Sequence, residues 1–233
     1  PGLAGLVMST RRHAPDSPRF GTLALLTPHS AVSLQTHWIR GAWFDSLQRF
    51  WDHARRGVLE ENEAPAERED GTDIGSIALR VRLRPGESAR LPVWLIWHLP
   101  NFEMYWSRET PRPRWRNPYA ARFADAAAIG RYLAREAGRL ERDSRRFAAA
   151  LHASTLPAPA LDAIASQLSI LKSPTCLRLE DGTFYAFEGC HADGGCCEGT
   201  CSHVWNYAQS VAWMFPSLER SAREAEFQHA MRE

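Results

Sequence analysis

The strongest constraint on the fold is a change of period partway along the chain. Ser76 to Arg84 alternates strictly, with Ile77, Leu79, Val81 and Leu83 on one side and Ser76, Arg80, Arg82 and Arg84 on the other. Period two puts alternate side chains on opposite faces, so this stretch reads as a half-buried strand. Ala126, Ile129, Leu133, Ala137, Leu140, Phe147 and Leu151 recur instead at helical spacing, which lines one side of a helix. Strands followed by helices imply a β part and then an α part.

Other strands are expected at Ala4 to Met8, at Gly21 to Thr27, and at Ala31 to Trp38 after the turn at Pro28. Trp43 to Arg56 reads as a helix on the recurrence of Trp43, Leu47, Phe50, Trp51 and Ala54, with Gly57 placed to end it. The acidic run Glu60 to Asp73 reads as a solvated loop. Pro85-Gly86 is a turn signal and predicts a hairpin between Ser76–Arg84 and Arg90–Leu99. Val93, Trp94, Leu95, Ile96 and Trp97 make the second strand apolar on both faces. Such a strand is expected between two layers, as in a large antiparallel sandwich.

The chain has 233 residues, 44% of them hydrophobic, with a formal charge of +1. That is enough for one or two domains with a core, and it excludes a disordered chain. The charge gives no basis for a nucleic-acid partner. No apolar run approaches the ~20 residues of a membrane span. The polar side of the long helix carries Arg131, Arg135, Arg139, Arg142, Arg145 and Arg146, interspersed with Glu136, Glu141 and Asp143. Mixed charge of this kind reads as a solvated linker helix, and membrane contact stays open. Thr155 to Pro159 breaks that helix. A second one follows, with Leu161, Ile164, Leu168 and Leu171 as its buried side. The domain reading is a β domain over 1–118, a linker helix over 119–155, and the start of a helical domain over 156–233. The chain begins with Pro1 and ends inside a helical pattern, so it is expected to be a piece of a longer protein.

Chemistry-bearing side chains concentrate in Cys176 to Trp213, CLRLEDGTFYAFEGCHADGGCCEGTCSHVWNYAQSVAW. Leu177 to Phe187 reads as a hairpin turning at Asp181-Gly182. A Gly-rich loop holding Cys190, Cys196, Cys197 and Cys201 follows. Ser202 is then placed to cap a helix from His203, with Val204, Ala208, Val211, Ala212 and Phe215 inward. Pro216 stops it, and another helix begins at Ser217. The cysteines with His191 and His203 are zinc-type ligands, but the spacing matches no common zinc pattern. A disulfide remains open, and the odd count of five cysteines leaves one over. Small buried thiols beside a functional pocket are the favoured reading, with no metal and no cofactor. Unpaired thiols lean toward the cytoplasm.

The segments EDGTFYAFEGC and CEGTCSHVWNYAQ…FPSLERS resemble the start of the catalytic domain of glycoside hydrolase family 116. This family comprises the non-lysosomal glucosylceramidases, or bile-acid β-glucosidases, and bacterial relatives. PGES…PVWLIWHLPN, WRNPYAARFADA and SILKSPTC are similar as well. The resemblance is close over residues 70 to 233 and loose before them. It implies the C-terminal part of an antiparallel β-sandwich, a linker helix, and the first helices of an (α/α)6 barrel. It also implies retaining hydrolysis of β-glucosides, either a glycolipid such as glucosylceramide or a small glucoside. The work is done by a Glu nucleophile and an Asp acid/base.

That resemblance places both catalytic carboxylates downstream, in later barrel helices and loops. None of Glu180, Asp181, Glu188, Asp193, Glu198, Glu219, Glu224 or Glu226 matches either motif. A bare barrel of twelve helices needs on the order of 200 residues, so about three helices fit after Pro159. No catalytic residue is therefore expected in the chain. Glu188, Asp193, Glu198, His203, Trp205 and Asn206 are the candidate substrate-binding residues, since they sit where the first barrel helix begins. Trp205 offers an indole to stack on a sugar, and His203 or Asn206 can bond a hydroxyl. Two rivals use other residues: a non-catalytic carbohydrate-binding module built on Trp94, Trp97, Trp106 and Trp115, and a zinc-stabilised interaction protein.

Overall fold

A computed structural model describes residues 2–41, 43, 45–63, 67–68, 71–105, 107–173, 175–187 and 209–229. It divides into two compact units, one made of residues 1–99 and 123–137 and the other of 100–122 and 138–233. Antiparallel sheets come first and helices dominate later, as the change of period implies.

In the first unit, β1 (Ala4–Ser9), β2 (Thr22–Thr27) and β5 (Trp94–His98) form a three-stranded sheet in that order. β3 (Val32–Gln35) and β4 (Ser76–Leu79) form a second pair, with Leu34 opposite Ile77. Gly5 sits in β1 at φ +148, where an added Cβ would meet the Leu25 carbonyl oxygen at 2.0 Å. Only glycine lets the two backbones approach this closely.

One face of the three-stranded sheet is covered by α2 (Ala126–His152). Asp125 caps this helix, its Oδ1 accepting from the Ala128 N–H at 2.6 Å. The Ala126 N–H donates to Thr22 Oγ1 on β2 at 2.8 Å, and His98 Nε2 donates to the Phe123 carbonyl at 2.9 Å. These bonds tie the helix start to two strands. Ala24, Leu26, Ile96 and Ala126 form the core beneath, with Ile129 and Leu133 packed on it. Gly130 has no side chain where Leu26 Cδ1 would lie 2.2 Å from an added Cβ. The apolar stripe is buried only along the first half of α2. Residues 141–150, Phe147 among them, are exposed, so half the length of the expected stripe covers the β unit and the rest carries ion pairs such as Arg145–Glu141 at 2.7 Å.

The expected hairpin between Ser76–Arg84 and Arg90–Leu99 does not form. β4 pairs with β3, and β5 pairs with β2. The turn itself exists: the Glu87 N–H donates to the Arg84 carbonyl at 3.0 Å, and Gly86 has φ +81. The alternation outlasts the ladder because β3 begins only at Val32, after the bend at Ser30, and pairing ends with the Arg80 N–H donating to the Ala31 carbonyl. Residues 80–93 are exposed throughout. β5 is also not covered on two faces. Ile96 and His98 are buried, while Leu95 is 56% and Trp97 60% exposed. β5 lies at the edge of its sheet, and no layer among the described residues covers its second face.

The first helix, α1 (Asp45–Arg55), buries a different side from the one its apolar residues suggest. Trp43, Leu47 and Trp51 are exposed, Trp43 at 91%, and His53 is buried. A polar set decides this. His53 Nδ1 lies 3.4 Å from both Gln35 Nε2 and the Glu60 N–H, and Gln35 Nε2 also donates to the Glu60 carbonyl at 3.0 Å. Phe50 turns inward and stacks on Trp38 at 4.4 Å. Parts of the acidic run are also structural. Asp73 receives the Arg40 guanidinium through two hydrogen bonds, at 3.0 and 2.9 Å.

Two outcomes test these contacts. Gly130→Val should destabilise the chain by about 1–3 kcal/mol in urea unfolding, because the new side chain overpacks Leu26. An unchanged midpoint would contradict the close packing. The Arg40 hydrogen bond holds the Asp73 carboxyl below the usual carboxylate range, with nearby Arg68 helping against partial burial. A depressed folded value stabilises above the unfolded value of about 3.9 and is lost as pH falls through the folded value. Asp73→Asn should therefore lower Tm at neutral pH, and the gap to the parent should shrink as pH falls below the ordinary carboxylate value. A gap that widens in acid would contradict the pairing.

Candidate functional site

The segment just before the Gly- and Cys-rich stretch of the sequence is a short hairpin, β8 (Cys176–Arg178) and β9 (Phe184–Ala186). It forms as its turn residues dictate. Thr183 N–H donates to Asp181 Oδ1 at 2.8 Å, and Gly182 takes φ +93. Leu177 lies opposite Tyr185, and Cys176 opposite Ala186.

Phe184, Tyr185, Ala186 and Phe187 are all buried, because β9 has a core on each face. Phe184 and Ala186 pack with Val211 and Ala222, with Ile170, Leu171, Phe215 and Leu218 around them. Tyr185 and Phe187 pack with Leu179 and Ala225, beside Phe102, Tyr105 and Trp115. Trp115 lies on β7 (Arg114–Arg116), which pairs with β6 (Asn101–Glu103). Its ring sits 5.1 Å from Tyr185 and edge-on to Phe102 at 5.9 Å. Aromatic contacts at such distances and tilts are favourable beyond the area they bury.

Two helices pack on the hairpin, α4 (Gln209–Met214) and α5 (Pro216–Glu224), and α3 (Ala158–Leu168) lies against α4. Pro216 opens α5 where its missing N–H costs nothing. The Ser221 hydroxyl of α5 accepts from the Phe184 N–H at 3.0 Å. Val211 is fully buried, but Ala212, expected inward, is exposed. With six described residues, α4 buries only Ser210 and Val211.

The six candidate substrate-binding residues, Glu188, Asp193, Glu198, His203, Trp205 and Asn206, lie outside the described residues. So do Cys190, His191, Cys196, Cys197 and Cys201, and the helix start at Ser202. Among the described residues, no three His, Cys, Asp or Glu side chains cluster to hold a metal. Of the tryptophans proposed for a carbohydrate module, Trp94 packs against the core of the first unit and Trp115 within the aromatic cluster of the second. Trp97 is exposed, and Trp106 lies outside the described residues. No described helix is long and apolar enough to cross a membrane.

Cys176 is the one cysteine the structure describes, and its thiol is free. Burial pushes its pKa up to about 11, while the Thr175 hydroxyl at 3.9 Å opposes the rise. A thiol held protonated is a weak nucleophile and metal ligand, so Cys176 acts as a small core side chain.

One polar contact in this unit escaped the sequence reading. The Ser210 N–H and hydroxyl both donate to Gln167 Oε1, at 3.5 and 3.3 Å. Gln167 stands between Ile164 and Leu168 on the apolar side of α3, and that interruption was the available signal. Trp213, one turn beyond Ser210, is 86% exposed.

The family model described as "beta-glucosidase 2, glycosyl-hydrolase family 116 N-term" matches residues 2–140. The match spans more than half of the chain, and the chain belongs to that family. No curated protein matches it.

The Cys176 environment has a measurable consequence. Alkylation of the Cys176 peptide, followed by mass spectrometry, should be slow in the native chain at pH 8 and should still accelerate above about pH 9. A rate that levels off near the ordinary thiol value would mean that burial does not control this group.

Proposed function

We propose that this chain is part of a retaining β-glucosidase acting on β-glucosides, glucosylceramide among the candidates. The match to the N-terminal model of family 116 carries this reading. The family-like sequence continues past the matched residues, through CEGTCSHVWNYAQ and FPSLERS. On this reading the strands of the first unit belong to a β-sandwich, α2 links the domains, and the helices from α3 onward open an (α/α)6 barrel. Glu188, Asp193, Glu198, His203, Trp205 and Asn206 line the approach to the sugar. The compartment is the cytoplasm.

Retention requires two carboxyl groups ~5–5.5 Å apart across the sugar. One attacks the anomeric carbon while the other protonates the leaving oxygen, and the second then activates water to release the sugar. Asp181 and Glu180 do not supply that pair. Asp181 Oδ1 accepts the Thr183 N–H of the turn. Glu180 pairs with Arg116 at 3.3 Å. Catalysis on this reading needs a Glu and an Asp that the 233 residues do not include.

The purified chain should therefore show no hydrolysis of an aryl β-glucoside above a heat-denatured control. The product of the longer reading frame that contains it should hydrolyse the same compound and release the β-anomer first, read by proton NMR. Turnover by the chain alone would refute the placement of the catalytic pair. An inactive longer product would refute the enzyme reading.

A further inference from the structure

We infer that the outer side of α2 is a docking surface for an anionic lipid bilayer, with Arg131, Arg135, Arg139, Arg142 and Arg146 as the row that meets the headgroups. The choice of a bilayer as partner rests on the β-glucoside reading above, since a glucosyl lipid presents its sugar in the plane of the headgroups. The row itself stands without that reading.

The mixed charge of α2 is ordered along the helix. The five arginines follow one another at spacings of four, four, three and four, which places them on one side. All five are exposed. At 1.5 Å per residue the row is about 22 Å long. Ile129 and Leu133, which pack on the core formed by Ala24, Leu26, Ile96 and Ala126, lie on the other side. So does Phe147, whose ring stacks on Phe215 at 6.3 Å. Glu136, Glu141 and Asp143 stand beside the row and not in it. Asp143 pairs with Arg139 at 3.2 Å, and Glu141 pairs with Arg145 at 2.7 Å. Arg131, Arg135, Arg142 and Arg146 have no ion pair among the described residues.

Such a row is unfavourable alone and hard to cover. Like charges three and four residues apart destabilise a helix. A further helix packing by its apolar side would bury these charges without partners, which is worse. A polyanion relieves both. The chain has a formal charge of only +1, so the row is a local excess that acts on a nearby surface. A bilayer is flat along the whole row, and its anionic headgroups attract each arginine. A nucleic-acid duplex curves away from a straight row and is held by a broader basic surface. No large apolar side chain stands in the row, so the contact is made by charge and loosens with salt.

Cosedimentation of the purified chain with vesicles tests this. Equimolar phosphatidylserine and phosphatidylcholine are compared with phosphatidylcholine alone. At roughly 0.1 M salt the chain should pellet with the anionic vesicles only, and roughly 0.5 M salt should release it. Each of Arg131→Gln, Arg135→Gln, Arg142→Gln and Arg146→Gln should weaken binding about fivefold, the size of ~1 kcal/mol. All four together should keep or raise Tm, because like charges leave the helix. Arg12→Gln, Arg19→Gln, Arg82→Gln and Arg90→Gln, combined, remove the same charge from exposed positions elsewhere and should leave binding as in the parent.

Equal losses in the two combined variants would overturn the row, because net charge would then govern binding. Tighter binding to a short DNA duplex than to the vesicles at the same salt would overturn the bilayer as partner. No vesicle binding, beside a longer product that hydrolyses the soluble aryl β-glucoside, would refute the docking surface and leave the enzyme reading standing. Binding through the row beside an inactive longer product would keep the surface and remove the enzyme reading.

Discussion

The strand Phe184–Ala186, with Phe187 directly after it, is the segment on which the second unit depends. Phe184 and Ala186 point one way and Tyr185 and Phe187 the other, and each pair meets its own cluster. Burying each of the two phenylalanines contributes about 1.5–3 kcal/mol. A three-residue strand has few ladder hydrogen bonds of its own, so packing on both faces holds it in place.

The first unit has a corresponding constraint at the start of α2. Thr22 Oγ1 and the Phe123 carbonyl are each bonded across the helix–strand contact, and Gly130 lets the helix lie close on Leu26. Beyond this first half, the helix carries arginines and glutamates on exposed turns. Such i,i+4 pairs contribute only a few tenths of a kcal/mol. The helix is therefore anchored at its start by buried bonds and packing, while its later turns carry local pairs and the Phe147 ring stacked on Phe215 at 6.3 Å.

Local signals were read well wherever geometry is local. Asp181-Gly182 makes its turn with the Asp181 side chain and a positive φ at Gly182. Pro85-Gly86 turns where expected, and Pro216 opens a helix. What failed was partner choice. Ser76–Arg84 and Arg90–Leu99 look like the two arms of one hairpin, yet each pairs with a strand more than forty residues earlier. Alternation says that a residue run has two faces. It does not say which distant backbone lies beside it. The same holds for α1, where Trp43, Leu47 and Trp51 formed the obvious apolar stripe. The buried side was chosen instead by His53, whose imidazole meets Gln35 and Glu60. Periodicity counts apolar residues and misses a polar side chain that earns burial through its hydrogen bonds.

The candidate site shows the same division at the level of chemistry. His203, Trp205 and the carboxylates near them stood out because cysteines, histidines and glycines crowd one stretch, a rare composition with few structural uses. Gln167 is a common residue on a helix and carries no such mark. Its amide acquires a direction only from Ser210, which lies 43 residues away in sequence. A side chain of rare chemistry can be nominated from its type and its neighbours. An ordinary amide becomes a structural contact only when folding brings its partner to it, and that fact exists in the packed helices alone.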